Sequence, residues 1–230
     1  EGVDLVFRAL LNEGDEVILP EPIYVCYKPL IQLARGKVIP IDTSQSQFVP
    51  DPKMIKKVIT KKTKAIVLCS PNNPTGALIP KRILKEIAIL AEIHDLWVIT
   101  DEIYSELIYE EKYTSFAQLP KMKKRTICLS GFSKTFAMTG WRLGYMCGPK
   151  EIVSRALKIH QYAALCAPVM AQYACIEALK CTSEVEKMRQ SYQYRRNLML
   201  NRLKEMGLPV VSPDGAFYCF INIKSFNISS

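Results

Sequence analysis

The sequence predicts an α/β domain built on a mostly parallel β-sheet with helices on its faces. Two apolar runs, KAIVLCS and LWVITDE, have the length and composition of buried strands. An amphipathic helix is expected between them over residues 81–94. A strand, a helix and a strand at this spacing form a right-handed βαβ unit with parallel strands, which is the core of the predicted fold.

The N-terminal part of the chain adds two strands and three helices to this prediction. Apolar residues at helical spacing predict a helix over residues 1–11. The run GDEVILP predicts a turn and a short buried strand, residues 24–34 a helix, and KVIPI a further strand. Asp51 followed by Pro52 predicts an N-cap and a helix start, with the helix ending near residue 59.

The C-terminal part predicts two more strands of the sheet and then helices. The strands are RTICLS and WRLGYMCG, and a helical pattern begins at residue 151. A long helix over 180–206 would link two lobes, and GAFYCFINI is expected to be a strand. We therefore divide the chain into a large domain, 1–195, and a segment, 196–230, that holds the end of an interdomain helix and the incomplete start of a small α+β domain.

The formal net charge of +9 comes mainly from two lysine clusters, at 53–64 and 121–125. Neither contains interleaved aromatic residues, so we interpret both as solvated surfaces and expect no nucleic-acid partner. The longest apolar stretch, 162–179, contains Pro168, Gln172 and Glu177. It is too short and too polar for a membrane span, so we expect no membrane partner.

The eight cysteines contain no C-x-x-C pair, so the sequence offers no zinc or thioredoxin-like site and no metal is expected. Most of them lie in apolar runs such as IVLCS and TICLS. We interpret them as buried thiols of a protein in a reducing compartment, which predicts a cytoplasmic location.

Polar side chains follow three consecutive predicted strands. Asn73 comes after KAIVLCS, Asp101 and Tyr104 come at the end of LWVITDEIY, and Ser133 and Lys134 follow RTICLS. Ligands of open α/β sheets bind beyond the carboxyl ends of the strands. If the strands share one sheet, an amide, a carboxylate, a phenol and a lysine meet at one edge, which favours a cofactor site.

Four segments resemble a known family. SPNNPTG, DEIYSEL and SGFSKTFAMTGWRLGY are similar to characteristic segments of class I/II aminotransferases, which are fold-type I enzymes dependent on pyridoxal 5′-phosphate (PLP). GDEVILPEPIYVCY resembles the segment that precedes them in that family. The resemblance covers residues 1–150 in the family's order and spacing. It implies the three-layer PLP-transferase large domain.

The resemblance also implies roles for individual residues. Lys134 would form the Schiff base with the cofactor aldehyde and then move the substrate's α-proton. Asp101 would pair with the protonated pyridine nitrogen, so that the ring can accept electrons. Asn73 and Tyr104 would hydrogen-bond the phenolic oxygen, and Tyr24 would stack on the ring.

Two further residues would hold the cofactor phosphate. Arg142 matches the arginine that clamps it, a task that suits the planar guanidinium group. Ser133 would add a hydroxyl donor, although many relatives carry their serine three residues before the lysine, where this chain has Gly131. Tyr27 would support Asp101 from behind.

The activity that the resemblance implies is transfer of an amino group between an α-amino acid and a 2-oxo acid. The resemblance also implies a homodimer for the full-length protein. Other fold-type I reactions remain open, namely those of carbon–sulfur lyases, decarboxylases and aminocyclopropane-carboxylate synthases. So does the aminotransferase-like effector domain of a transcription regulator. We also expect that a phosphate-binding loop precedes Glu1, that the rest of the small domain follows Ser230, and that residues 1–230 alone are inactive. The sequence does not name the donor amino acid.

Overall fold

The computed structural model describes residues 1–226 and contains a six-stranded sheet in the order β2-β1-β3-β4-β5-β6. Its strands are β1 Glu16–Glu21, β2 Lys37–Asp42, β3 Thr63–Cys69, β4 Trp97–Asp101, β5 Thr126–Gly131 and β6 Gly144–Cys147. The pairs among β1 to β5 are parallel, and only β6 runs antiparallel, at the edge beside β5. The predicted mostly parallel sheet is confirmed.

Helices cover both faces of the sheet. They are α1 Gly2–Leu10, α2 Tyr27–Leu33, α3 Pro52–Val58, α4 Lys81–Ile93, α5 Phe132–Thr135, α6 Lys150–Ala163, α7 Val169–Ala178 and α8 Thr182–Glu205. The predicted N-cap of α3 is confirmed, because the Asp51 carboxylate accepts a hydrogen bond of 2.8 Å from the backbone N–H of Lys53.

The three layers follow from the alternation of side chains along the strands. In β3, Ala65 and Val67 face one apolar cluster with α1, α2 and α6, whereas Ile66 and Leu68 face a second cluster with α3 and α4. Each fully buried aliphatic or aromatic side chain of this kind stabilises the fold by about 1.5–3 kcal/mol. The sheet is therefore rigid enough to position the loops at its ends.

The carboxyl ends of the three central strands lie side by side. Cys69 at the end of β3 is the register partner of Asp101 at the end of β4, and Asp101 in turn pairs with Leu129 of β5. The loops that follow these strands therefore leave the sheet at one edge, as predicted from the sequence.

The prediction of a strand at GAFYCFINI is wrong. Within residues 1–226 this stretch forms only two isolated bridges, Gly215 with Ile108 and Ile221 with Val210. Ala216 has φ +57°, which interrupts an extended strand. The long predicted helix is confirmed as α8, which runs through the predicted domain boundary, and the division into domains stays a prediction.

Two other sequence expectations concern the environment of the chain. In the part of the chain that the structure describes, no helix combines the length and the apolar character that crossing a membrane requires. All eight cysteines are free thiols, but Cys147, Cys166 and Cys181 are exposed. The expectation of buried thiols is therefore wrong for these three. It holds in full only for Cys69 and Cys175, because Cys26, Cys128 and Cys219 are partly exposed.

Candidate active site

Asp101, the last residue of β4, carries the only predicted site carboxylate and is held in a fixed orientation. The Tyr27 hydroxyl donates a hydrogen bond of 2.6 Å to its Oδ2, and the backbone N–H of Ile103 donates one of 3.1 Å to its Oδ1. Burial raises the pKa of Asp101, and these two hydrogen bonds oppose that rise because they stabilise the charged form.

Tyr27 lies fully buried beneath Asp101, at the start of α2. Burial, together with the neighbouring Cys69 and Asp101, raises the pKa of Tyr27 well above its usual value. Tyr27 therefore keeps its proton and serves as a donor to the carboxylate. Tyr24, three residues earlier, packs edge-on against Tyr27 with ring centroids 5.9 Å apart and remains 44% exposed.

The loop after β3 presents Asn73. Its neighbour Asn72 is buried, and the Asn72 side chain accepts hydrogen bonds from the N–H and the hydroxyl of Thr75 at 3.1 Å and 2.9 Å. Asn72 thus fixes the turn that carries Asn73. The Asn73 amide makes no hydrogen bond to any other part of residues 1–226, so both its oxygen and its nitrogen can bind a ligand.

Tyr104 follows β4 and is 2% exposed. Its hydroxyl oxygen lies 2.5 Å from that of Tyr218, and either group can donate the hydrogen bond. The ring of Phe217 packs edge-on against Tyr104, with centroids 5.4 Å apart. Burial raises the pKa of Tyr104, which keeps it a neutral hydrogen-bonding group.

Lys134 lies in α5, the single turn of helix that follows β5, and is half-buried. Its Nζ is 5.5 Å from the centroid of the Phe217 ring, which itself contacts Tyr104. The predicted lysine and phenol thus share an aromatic neighbour. Asp101 lies three residues before Tyr104, at the end of the strand that pairs with β5.

Ser133, in α5, and Arg142, seven residues beyond the end of α5, are linked through Thr139. The Thr139 hydroxyl donates a hydrogen bond of 3.0 Å to the Ser133 carbonyl, and Arg142 Nη1 donates one of 2.6 Å to the Thr139 carbonyl. Arg142 is exposed. Its guanidinium group has five N–H donors, so most of them remain available to an anion.

Sequence analysis missed two aromatic residues of this site, Phe217 and Tyr218, because they were assigned to a strand of the small domain. They belong to a segment, 212–218, that folds back over the loops bearing Asn73 and Tyr104. The run Pro213-Asp214-Gly215 is typical of a turn and argues against a strand at this point. No sequence pattern indicates that the two rings lie beside Tyr104 after this turn.

A groove of about 450 Å³ adjoins Tyr24 on its outer side. It is lined by Glu21, Val25, Lys28 and Asp42 among others, and contains neither Asp101 nor Lys134. We therefore base the candidate site on the side chains at the sheet edge and do not assign the groove to it.

The groups at the sheet edge match the chemistry of PLP. The cofactor offers an aldehyde to a lysine, a pyridine nitrogen to a carboxylate, a phenolic oxygen to amide and phenol donors, and a phosphate to a guanidinium group. Lys134, Asp101, Asn73, Tyr104 and Arg142 supply each of these partners. The half-buried Asp101 carboxylate has no basic residue among its hydrogen-bond partners, so it is suited to a cationic ring.

Comparison with known proteins agrees with this chemistry. Residues 1–226 match the family model described as aminotransferase class I and II. The putative aminotransferase YugH of Bacillus subtilis is 50% identical over 232 residues, which cover 100% of this chain and 60% of that protein. The aspartate aminotransferase of Pyrococcus abyssi is 45% identical over 96% of this chain and 58% of its own length. The chain thus spans about 60% of the length of these relatives.

Solved structures give the same result. The aromatic aminotransferase from Pyrococcus horikoshii superimposes with a TM-score of 0.96 at 44% identity, over 99% of this chain and 62% of that chain. The aspartate aminotransferase from Thermus thermophilus with maleate gives a TM-score of 0.94 at 39% identity, over 97% of this chain and 59% of that chain. These similarities do not favour the lyase, decarboxylase or regulator alternatives. The chain belongs to the class I and II aminotransferases, a family of PLP-dependent enzymes.

Proposed function

We propose that this protein is a PLP-dependent aminotransferase that exchanges an amino group between an α-amino acid and a 2-oxo acid. The observation that carries the proposal is the half-buried, tyrosine-bonded carboxylate of Asp101, which shares one sheet edge with Tyr104, Asn73 and the α5 turn that bears Lys134. Family membership supports it independently.

Lys134 and Asp101 do the chemical work in this proposal. PLP, when bound, supplies an electron sink for the pair of electrons left on the substrate's α-carbon. Lys134 holds the cofactor through its Nζ and, once released, moves the proton from the α-carbon. Asp101 would keep a proton on the pyridine nitrogen, and the hydrogen bond from Tyr27 stabilises the charged form of Asp101 and fixes the orientation of its carboxylate.

The remaining side chains bind and orient. Tyr104 and Asn73 would donate hydrogen bonds to the phenolic oxygen, and the partly exposed ring of Tyr24 would stack on the cofactor ring. Arg142 and Ser133 hold the phosphate. The Arg142 donors not used by the Thr139 carbonyl are free to form the two parallel hydrogen bonds that a guanidinium group makes to a phosphate.

We also propose a homodimer, because a large apolar surface is exposed on α6, α7 and the turn between them. Tyr162, Leu165 and Met170 are 93%, 80% and 78% exposed, and Tyr173 and Ile176 of α7 are exposed as well. Exposed apolar side chains in this number are typical of an interface. Light scattering should give twice the chain mass, and Met170→Glu should shift the protein toward the monomer.

We retain the cytoplasmic location and the two-domain division as proposals. The location rests on the eight free cysteines, which are typical of a reducing compartment. The division at 195/196 rests on α8, which is long enough to connect two lobes.

The decisive experiment uses protein expressed from its complete gene and loaded with PLP. Borohydride reduction followed by peptide mapping should place the cofactor on Lys134, and Lys134→Ala should abolish the visible absorption band and turnover. Lys85→Ala, at an exposed lysine of α4, is the matched control and should behave as the wild type. A Lys134→Ala variant that keeps a reducible bond to the cofactor would refute the proposal. Pyridoxamine phosphate formed from an amino-acid donor distinguishes transamination from lyase or decarboxylase chemistry.

A further inference from the structure

The 212–218 segment is anchored tightly to the loop that carries Asn73. The Asp214 carboxylate accepts a hydrogen bond of 3.1 Å from the N–H of Leu78, and the N–H of Gly215 donates one of 3.0 Å to the Gly76 carbonyl. A Cβ atom on Gly215 would lie 2.5 Å from Cγ of Pro71. These hydrogen bonds and this close packing fix the position of the 212–218 segment on the loop.

The same segment is anchored to the chain just after Tyr104. The N–H of Ala216 donates a hydrogen bond of 2.8 Å to the Leu107 carbonyl, and the Tyr109 hydroxyl donates to the carbonyl of Ala216. Ala216 is completely buried and adopts φ +57°. This left-handed residue turns the chain so that Phe217 and Tyr218 point to the site.

The hydroxyl groups of Tyr104 and Tyr218 carry one proton each, so each can donate one hydrogen bond and accept others. If Tyr104 donates its proton to the phenolic oxygen of the cofactor, it has none left for Tyr218. Tyr218 must then donate to Tyr104, so the direction of the hydrogen bond between the two tyrosines depends on what Tyr104 binds.

We propose that Tyr218 is a positioning residue of the cofactor site, which donates a hydrogen bond to Tyr104 and so aims and polarises the Tyr104 hydroxyl toward the cofactor's phenolic oxygen. This inference rests on the proposed PLP function. Tyr218 acts only through Tyr104. Its anchored backbone and its ring contacts with Tyr104 and Phe217, at centroid distances of 5.7 Å and 5.0 Å, hold the hydroxyl in place.

The proposal has a spectroscopic consequence. A donor to the phenolic oxygen withdraws negative charge from it and lowers the pH at which the linkage between lysine and cofactor loses its proton. Consecutive hydrogen bonds polarise one another, so the donor Tyr218 strengthens the donation by Tyr104. Loss of the Tyr218 hydroxyl should therefore raise the pH midpoint of the cofactor's visible absorption change.

The test compares single and double variants of the PLP-loaded protein. Tyr218→Phe should raise the pH midpoint by about 0.5 unit or more, the size expected when one hydrogen bond in a chain is lost. Tyr104→Phe should raise it further, and adding Tyr218→Phe to Tyr104→Phe should change nothing. Tyr192→Phe is the matched control, because its ring stacks on Phe217 and its hydroxyl forms no hydrogen bond within residues 1–226.

The outcomes separate this inference from the proposed function. An unchanged midpoint in Tyr218→Phe, beside a raised one in Tyr104→Phe, would overturn the role of Tyr218 and leave the proposed function intact. Equal shifts from Tyr218→Phe with and without the Tyr104 hydroxyl would also overturn it. If Tyr218→Phe fails to hold the cofactor, Tyr218→His decides: recovery of binding and midpoint supports the role, and continued loss refutes it. A cofactor bond to another lysine would instead defeat the proposed function.

Discussion

Replacing Tyr27 by phenylalanine should make the stability of the protein depend more strongly on pH, through Asp101. The change removes the 2.6 Å hydrogen bond to the Asp101 carboxylate and leaves only the one from Ile103. A hydrogen bond to a charged group contributes about 1.5–3 kcal/mol. A hydrogen bond to the neutral carboxyl group contributes about 1 kcal/mol, so only the difference of about 0.5–2 kcal/mol shifts the pKa. At 1.36 kcal/mol per pKa unit, the loss should raise the Asp101 pKa by about 0.4–1.5 units beyond the rise that burial already causes.

The sign of the pH dependence follows from the direction of this shift. Because the folded-state pKa of Asp101 lies above its unfolded value, the folded protein holds a proton that the unfolded chain has lost. That contribution to stability is complete below the unfolded pKa and disappears as the pH rises through the folded pKa. In Tyr27→Phe the higher Asp101 pKa should make the free energy of unfolding fall over a range that extends to higher pH. The variant should therefore be destabilised relative to the wild type most strongly at neutral pH.

The assay is urea unfolding of the cofactor-free protein from about pH 4 to about pH 8. Tyr27→Phe should cost about 1 kcal/mol at the acidic end, where a neutral hydrogen bond is lost, and about 1.5–3 kcal/mol at the neutral end. In an Asp101→Asn background the cost should not vary with pH. A cost that is equal at both ends in the presence of Asp101 would show that the hydrogen bond does not stabilise the carboxylate.

Three further changes probe other parts of the site. Asp101→Ala should slow α-proton removal in stopped-flow single turnovers by about 100–1,000-fold while the cofactor stays bound, and a normal rate would contradict the electron-sink role. Arg142→Ala should weaken PLP binding by about tenfold or more in a fluorescence titration, the loss expected for about 1.4 kcal/mol of charge-assisted contact; unchanged affinity would remove it from the phosphate site. Gly215→Ala should lower the free energy of unfolding by about 1–3 kcal/mol, since its Cβ would press on Pro71 and on the Leu107 carbonyl, and an unperturbed urea midpoint would show that the 212–218 segment can shift.

The parts of the fold that depend on local patterns could be predicted from the sequence. The apolar runs of β3 and β4 and the amphipathic face of α4 indicated a parallel βαβ unit, and Asp51 indicated where α3 begins. The same logic located Asp101 at the sheet edge, because parallel strands end together. The orientation of the Asp101 carboxylate was harder to predict from the sequence, because it depends on Tyr27, which lies 74 residues away in the chain.

The contacts made by the 212–218 segment could not be predicted, for two physical reasons. Alternating apolar residues in GAFYCFINI match the pattern of a strand. The backbone of Ala216, however, adopts φ +57°, a left-handed conformation that an alanine in the sequence does not predict. The partners of the segment are also remote: Tyr218 meets Tyr104 across 114 residues. Tertiary hydrogen bonds to Gly76 and Leu107 override the local preference for a strand.

Strand β6 has a consequence for handling the isolated polypeptide. It ends the sheet, pairs only with β5 among the strands of residues 1–226, and exposes Gly144, Tyr145 and Cys147. The outer row of its backbone N–H and C=O groups can pair with a strand of another molecule, and no lysine or proline interrupts Gly144–Cys147 to discourage this. We therefore expect concentrated preparations of the 230-residue polypeptide to aggregate edge to edge. Without a reductant, the exposed Cys147 thiols of two molecules can oxidise to a disulfide that makes such contacts covalent.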